Sequence, residues 1–140
     1  MRNDPEAVVD GFYKALVLGD RPAMLAYFAD DACFKQHVPA DLIPHSGEIC
    51  GKENLKARAA WVYEFWDIDA VSPSRPRLEG GLVHGSVAFA FRRKGTGDVY
   101  EGLLRHVFQV VDGRIKRLDE YLDSDMLRAF LEMTGQGRTA

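Results

Sequence analysis

The sequence predicts an α+β fold in which helices gather on one face of a curved antiparallel sheet. Along the chain, the patterns run helix, helix, strand, helix and then, from Asp67 onward, a series of strands separated by short turns. Helices and strands that are segregated in this way are typical of α+β folds. A chain of 140 residues has the size of one compact unit with a single core, so we expect residues 1–140 to form one domain.

The most specific local signal is a hairpin between Asp98 and Asp123. Two strand-like runs flank Asp112-Gly113, and Asp-Gly is a preferred hairpin turn. A two-residue loop would pair even-numbered with odd-numbered positions and set Arg105 against Glu120. A three-residue loop over 111–113 would pair even with even, and the polarity of the two strands favours this second register.

The other elements follow from hydrophobic periodicity and from turn residues. Asp4 is the predicted N-cap of the first helix, with Pro5 at its first position. Prolines after Val71 indicate that its strand lies at a sheet edge or contains a bulge. The predicted elements are helices at Asp4–Leu18, Pro22–Phe28, Gly51–Phe65 and Ser124–Met133, and strands at Ala32–Val38, Asp67–Val71 and Leu78–Arg92, besides the two strands of the hairpin.

The segment Pro39–Cys50 is predicted to be an irregular loop, because it contains two prolines and Gly47. Loops of this length often cover a site. Residues His37, His45 and Glu48 have side chains that can bind metals, but their spacing matches no metal-binding signature. We therefore predict no metal site here.

Composition and charge argue against several classes of function. The net charge is −3, without a run of like charges, whereas nucleic-acid binding needs a basic patch. No apolar run is long enough to cross a membrane, and the N-terminus lacks the apolar core of a signal peptide. We therefore expect a cytoplasmic protein in which Cys33 and Cys50, the only cysteines, are free thiols rather than a disulfide.

Strand alternation places two ionisable residues on the inner face of the hairpin. In 100–109 the even positions are the more apolar and should face inward, and His106 is one of them. In the return strand the even positions are again the more apolar, with Glu120 as the exception. The favoured register puts Glu120 opposite Leu104, with His106 one step along. A buried carboxyl without a partner should have a raised pKa, and a Glu beside a His is suited to general acid/base catalysis. A structural hydrogen bond between two buried groups is the alternative, and the sequence leaves both open.

A set of short motifs extends over nearly the whole chain. The motifs are Phe12-Tyr13 with Gly19-Asp20, Tyr27–Ala32, Gly51–Glu53, Val107–Gln109 with Asp112–Ile115, and Glu120–Asp123. In this order and spacing they resemble the SnoaL-like or nuclear transport factor 2-like superfamily, which includes ketosteroid isomerase. The resemblance implies a single SnoaL-like domain, a cone-shaped, cystatin-like roll with three N-terminal-half helices on the concave face of the sheet.

Catalytic residues of the superfamily carry over only in part. The central strands are similar to limonene-epoxide hydrolase, but of its Asp-Arg-Asp set only the last acid has a counterpart, Glu120. The other two positions hold Val87 and Phe89. In comparison with ketosteroid isomerase, the oxyanion-hole Tyr falls on Phe12 and the general-base Asp on Gln36. SnoaL-like cyclases place an acid/base carboxylate near Glu120, and this is the one role that the resemblance implies here.

Two functions follow as expectations. The first is an enzyme that binds a small apolar molecule, terpenoid, steroid or polyketide-like, and catalyses isomerisation, cyclisation or hydration without a cofactor or metal. Glu120 would be its acid/base group, His106 the partner of that group, and Gln36 a donor to a substrate oxygen. The second is a non-catalytic carrier or sensor that uses the same cavity. The expected cavity wall consists of Phe12, Phe34, Trp66, Val87, Phe89, Leu104 and Leu118.

The opposite face of the hairpin is a candidate subunit interface. It carries a mixed polar and apolar set of side chains, which could bury against a second copy of the chain. We therefore expect a homodimer, with neither a nucleic-acid nor a membrane partner. The set is Glu101, Leu103, Arg105 and Val107.

Overall fold

The computed structural model of the protein describes residues 4–43 and 46–134. These residues form four helices and seven strands, and the predicted α+β class is confirmed. The helices are α1 (Pro5–Leu18), α2 (Arg21–Ala26), α3 (Lys52–Phe65) and α4 (Ser124–Met133). The strands are β1 (Phe28–His37), β2 (Gly47–Cys50), β3 (Trp66–Pro73), β4 (Arg77–Glu79), β5 (Leu82–Arg93), β6 (Val99–Val111) and β7 (Arg114–Tyr121).

Capping residues set the ends of α1 as the sequence predicts. The side chain of Asp4 accepts a hydrogen bond from the backbone N–H of Glu6 at 3.0 Å, and Pro5 occupies the first turn. Gly19 ends the helix in the left-handed conformation, with φ of 69°, where glycine has no steric penalty. The apolar side of α1 then lies on the inner face of the sheet, so this helix covers the strands that carry the candidate site.

The strands form one curved, unclosed sheet in the order β2-β1-β7-β6-β5-β3, with β4 paired to β5. The sheet is mixed rather than wholly antiparallel, because β1 and β7 run parallel. These two strands come from opposite ends of the chain, and no turn between them signals their direction. As predicted from its prolines, β3 lies at an edge of the sheet.

Several elements differ from the predicted boundaries. The second helix ends at Ala26 rather than Phe28, and β1 begins at Phe28 rather than Ala32. The predicted strand Leu78–Arg92 is divided into β4 and β5 by a turn at Gly80 and Gly81, both of which have positive φ. The predicted loop Pro39–Cys50 includes the short strand β2, which pairs with β1. Four residues without clear alternation give little strand signal in the sequence, so pairing with β1 defines β2.

The central hairpin pairs even with even positions, as predicted, but its turn differs from the predicted three-residue loop. Asp112 and Gly113 both have positive φ, of 50° and 77°, and form a two-residue turn between β6 and β7. A register shift then leaves Lys116 as an extra residue on β7, which is a β-bulge. The bulge restores even-with-even pairing, but it sets Glu120 opposite His106 rather than opposite Leu104.

The prediction that both cysteines are free thiols is wrong. Cys33 on β1 and Cys50 on β2 are register partners with Cα atoms 4.0 Å apart, and their sulfur atoms form a disulfide. The pairing was not visible in the sequence because β2 itself was not predicted. Disulfides persist mainly in oxidising compartments, so this bond removes one reason for expecting a cytoplasmic protein.

The core consists of two apolar clusters on the inner side of the sheet. The first joins α1 and α3 to the middle strands and has Phe108 and Ile115 among its fully buried members. The second joins Trp66, Phe89 and α4. None of the helices in residues 4–43 and 46–134 has the length and apolar character required to span a bilayer.

Candidate functional site

Three polar side chains form a row across the inner face of the sheet. Gln36 on β1 is the register partner of Glu120 on β7, and Glu120 is the register partner of His106 on β6. Two residues away on the same strands, Leu118 and Phe108 form the neighbouring row and belong to the apolar core. The sheet therefore places a carboxyl, an imidazole and an amide side by side within apolar surroundings.

Hydrogen bonds join this row into one network. His106 Nε2 lies 3.0 Å from Glu120 Oε2, and Gln36 Nε2 donates to Glu120 Oε1 at 2.8 Å. Because a carboxylate can only accept, His106 donates from Nε2 to Glu120, and its Nδ1 lies 2.8 Å from the Tyr13 hydroxyl, within hydrogen-bond distance. Burial, and then the negative charge of Glu120, raise the pKa of Tyr13, so the phenol stays neutral.

Arg58 closes the other end of the network. Its Nη2 donates to Gln36 Oε1, which fixes the orientation of the amide and turns Gln36 Nε2 toward Glu120. Arg58 lies three residues after Leu55 on α3, and these two are the buried residues of that helix. The complete sequence of contacts is Tyr13, His106, Glu120, Gln36 and Arg58, referred to below as the inner network.

The partners of Glu120 keep it ionised. Burial on its own raises the pKa of this carboxyl, but the hydrogen bond and charge of His106, the charge of Arg58 and the hydrogen bond from Gln36 outweigh burial and hold the pKa below its ordinary value. The expectation of a raised pKa is wrong because it assumed a carboxyl without partners. At neutral pH, Glu120 can therefore accept a proton but has none to donate.

Access to the network is greatest at its carboxyl. The side chain of Glu120 keeps 13% of its surface exposed, whereas His106 keeps 3%. Two surface depressions of about 460 and 450 Å³ lie on the sides of α1. Neither is lined by Glu120 or His106, but Tyr13 forms part of the lining of the second.

The residues predicted to form a cavity wall all lie in the interior, but in two groups. Phe12, Val87 and Leu118 belong to the first apolar cluster, and Phe34 packs against it. Trp66 and Phe89 belong to the second cluster, and Leu104 packs against both. The predicted site residues Glu120, His106 and Gln36 are in direct contact. The role of each of these residues remains a prediction.

Sequence reasoning missed two members of the inner network. Tyr13 is predicted only as part of the Phe12-Tyr13 motif, and no role is predicted for Arg58. A signal existed for Arg58, because it lies at helical spacing between Leu55 and Val62 in the apolar stripe of α3. An arginine in such a stripe indicates a buried charge that needs a partner.

Among the described residues near the predicted loop, one group of side chains has metal-binding atoms close together. Cys33, Glu48 and Cys50 cluster, but both sulfur atoms are used in the disulfide. His37 pairs with Asp119 at 2.9 Å on the outer face of the sheet. His45 lies outside the described residues.

Comparisons with known proteins agree on the fold. No protein-family model matches the chain. An NTF2-like protein from Burkholderia pseudomallei superposes with a TM-score of 0.78 at 18% identity, covering 96% of this chain and 98% of that one. A protein assigned as a SnoaL-like polyketide cyclase from Mesorhizobium loti has a TM-score of 0.71 at 21% identity, covering 82% and 96%.

A third structure represents another activity on the same fold. An LEH-like epoxide hydrolase from M. tuberculosis has a TM-score of 0.69 at 20% identity, covering 91% of this chain and 89% of that one. At such identities the likeness concerns architecture, since one fold can host unrelated chemistry. The chain is therefore built on the NTF2-like fold that SnoaL-like cyclases and LEH-like epoxide hydrolases share.

Proposed function

We propose that the protein binds a small apolar molecule of terpenoid, steroid or polyketide type beside the inner network and catalyses cofactor-free acid/base chemistry on it. The observation that carries the proposal is the ionised Glu120, held between His106 and Gln36 in the apolar interior. A positioned carboxylate of this kind is a general base. Similar folds assigned as a cyclase, an isomerase and an epoxide hydrolase support a reaction of this type.

In the proposed reaction, Glu120 takes a proton from the substrate or from a water molecule that attacks it. His106 donates to Oε2 throughout, and the hydrogen bond between Tyr13 and His106 Nδ1 fixes the orientation of the imidazole ring. Gln36 uses one amide N–H on Glu120 and has a second, which can donate to a substrate oxygen. After proton transfer, the neutral Glu120 returns the proton to another position of the substrate, or to water.

The test is a turnover screen with a matched pair of variants. Glu120→Gln keeps the shape of the side chain and removes the base, so turnover should fall by about 10²- to 10⁴-fold. Asp119→Asn makes the same chemical change one residue earlier, on the outer face beside His37 and Arg117, and should retain turnover. Equal rates for the two variants on an active substrate would contradict the role of Glu120.

A non-catalytic carrier is the second candidate. Both oxygens of Glu120 already accept hydrogen bonds, and a lowered pKa makes this carboxylate a weak base. A carrier would bind members of a terpenoid, steroid and polyketide panel in equilibrium titrations without forming product. Product formation that depends on Glu120 would exclude this candidate.

We also propose a homodimer through the outer face of β6. Leu103 on this face is 41% exposed, and the strand offers polar neighbours on both sides of it in Glu101 and Arg105. Light scattering should give twice the chain mass, and Leu103→Asp should yield monomers, whereas a monomeric wild-type protein would contradict the proposal.

A further inference from the structure

One charged group of the inner network is incompletely satisfied. Arg58 is 9% exposed, and its Nε and Nη1 atoms are buried without a hydrogen-bond partner among residues 4–43 and 46–134. Nearly all buried donors in folded proteins have partners, and unpartnered donors on a charged group are costly. A group retained in this state is a candidate for ligand recognition.

The geometry of the guanidinium determines what it can bind. An arginine has five N–H groups in one plane, and it presents two edges that each carry a parallel pair of them. Nη2 contributes one hydrogen to each edge. Gln36 accepts from Nη2 and can occupy only one edge, so the other edge keeps its pair of donors. A parallel pair of donors matches the two oxygens of a carboxylate.

The surroundings favour an apolar molecule that bears this carboxylate. The guanidinium of Arg58 lies 5.0 Å from the centre of the Trp61 ring. The amide of Gln36 lies between the guanidinium and Glu120. A carboxylate on the free edge would therefore be separated from the like charge of Glu120.

We infer that Arg58 binds the carboxylate of an apolar organic acid, which defines the ligand class of the site. The inference rests on the proposed function for the identity of the pocket, but it concerns recognition and not proton transfer. Binding would complete the hydrogen bonds of the buried guanidinium. The neutral ester or alcohol of the same skeleton would leave them incomplete and would bind more weakly.

The experiment measures the preference for acid over neutral analogue by calorimetry. The probe pairs are 2-naphthoate with methyl 2-naphthoate, and perillate with perillyl alcohol. The wild-type protein should bind at least one acid about tenfold more tightly than its partner, a difference of about 1.4 kcal/mol. Arg58→Gln should abolish this preference, and Arg58→Lys should weaken it, because lysine keeps the charge but loses the parallel donors.

Arg93 provides a matched control on the same protein. It is also buried, and its Nη1 has no hydrogen-bond partner in the described part of the chain. Its guanidinium, however, lies 3.7 Å from the centre of the Phe65 ring and has no bond to the inner network. Arg93→Gln should keep the preference for acids. If Arg58→Gln does not fold, Arg58→Lys, which keeps the buried charge, must still weaken the preference.

The outcomes separate this inference from the proposed function. Any of three results would overturn the inference: equal binding of the acid and neutral probes, binding of neither probe, or an unchanged acid preference in Arg58→Gln. Glu120→Gln should keep the acid preference while it loses turnover. If Glu120→Gln loses turnover but Arg58→Gln keeps the acid preference, Glu120 is the base and Arg58 is not the carboxylate site. If Arg58→Gln loses the acid preference but Glu120→Gln keeps turnover, Arg58 binds the carboxylate and Glu120 is not the base.

Discussion

Replacement of Gly85 by Ala should break the contact between α1 and the inner network. Gly85 on β5 is the register partner of His106. A methyl group at this position would overlap the Tyr13 hydroxyl and would lie 2.9 Å from Cε2 and 3.0 Å from Cζ of the same ring. The ring must move, and its hydrogen bond to His106 Nδ1 is then lost. The absence of a side chain at position 85 is therefore what allows Tyr13 to reach His106.

The expected loss can be worked out from three contributions. Overpacking costs about 1–3 kcal/mol, and the lost buried hydrogen bond costs about 1–2 kcal/mol. Replacing a strand glycine by alanine returns about 0.5–1 kcal/mol. Gly85→Ala should thus lower the free energy of unfolding by about 1–4.5 kcal/mol. In a Tyr13→Phe background the hydroxyl is gone, so Gly85→Ala should cost about 1–2 kcal/mol less than in the wild type.

The assay is a double-mutant cycle measured by urea denaturation. Gly102→Ala is the control, because a methyl group there would meet Phe89 Cζ at 2.8 Å and no member of the inner network. It should destabilise the protein by a similar packing mechanism, but its effect should add to that of Tyr13→Phe within about 0.5 kcal/mol. Additivity of Gly85→Ala with Tyr13→Phe would refute the argument that Gly85 makes room for the hydroxyl.

The disulfide, the ionised state of Glu120 and the aromatic core give three more predictions. Replacing Cys33 and Cys50 together by Ser should lower the free energy of unfolding by about 3 kcal/mol, because the bond closes a loop with a sequence separation of 17. A loss below about 1 kcal/mol in denaturation would contradict this. The pKa of Glu120 is lower in the folded than in the unfolded state, so its stabilisation is present above the unfolded pKa and is lost as the pH falls through the folded pKa. Unfolding measured from neutral to acid pH should show a shallower loss in Glu120→Gln than in the wild type, and equal slopes would exclude this contribution. Phe108→Ala should cost about 3–5 kcal/mol in thermal or urea unfolding, because this side chain is fully buried, whereas Val111→Ala on the exposed end of the same strand should cost much less.

The helices and the inward direction of Glu120 were predictable because they depend on local patterns. The cap at Asp4 and the spacing of the apolar residues determine α1, and Asp123 caps α4 through the backbone N–H of Met126. The alternation of β6 and β7 was enough to place His106 and Glu120 on the same buried face. Each of these features is encoded within one helical turn or one strand.

Features that join distant segments were not predictable in the same way. The parallel pairing of β1 with β7 brings Gln36 to Glu120 over 84 residues of sequence, and Tyr13 reaches His106 over 93. The bulge on β7 moved the partner of Glu120 from Leu104 to His106. The sign of its pKa shift depended on these partners, since burial alone acts in the opposite direction.

The sequence by itself determined the α+β class, the central hairpin and the presence of a carboxyl on its inner face, because alternation and turn chemistry act over a few residues. Only the tertiary structure decided that Arg58 and Tyr13 complete the inner network and that Cys33 meets Cys50. Long-range contacts depend on how whole helices and strands pack. A buried polar side chain can find a hydrogen-bond partner on many different elements, so local sequence patterns do not identify that partner. The chemistry proposed for Glu120 therefore depends on side chains supplied by β1, β6, α1 and α3.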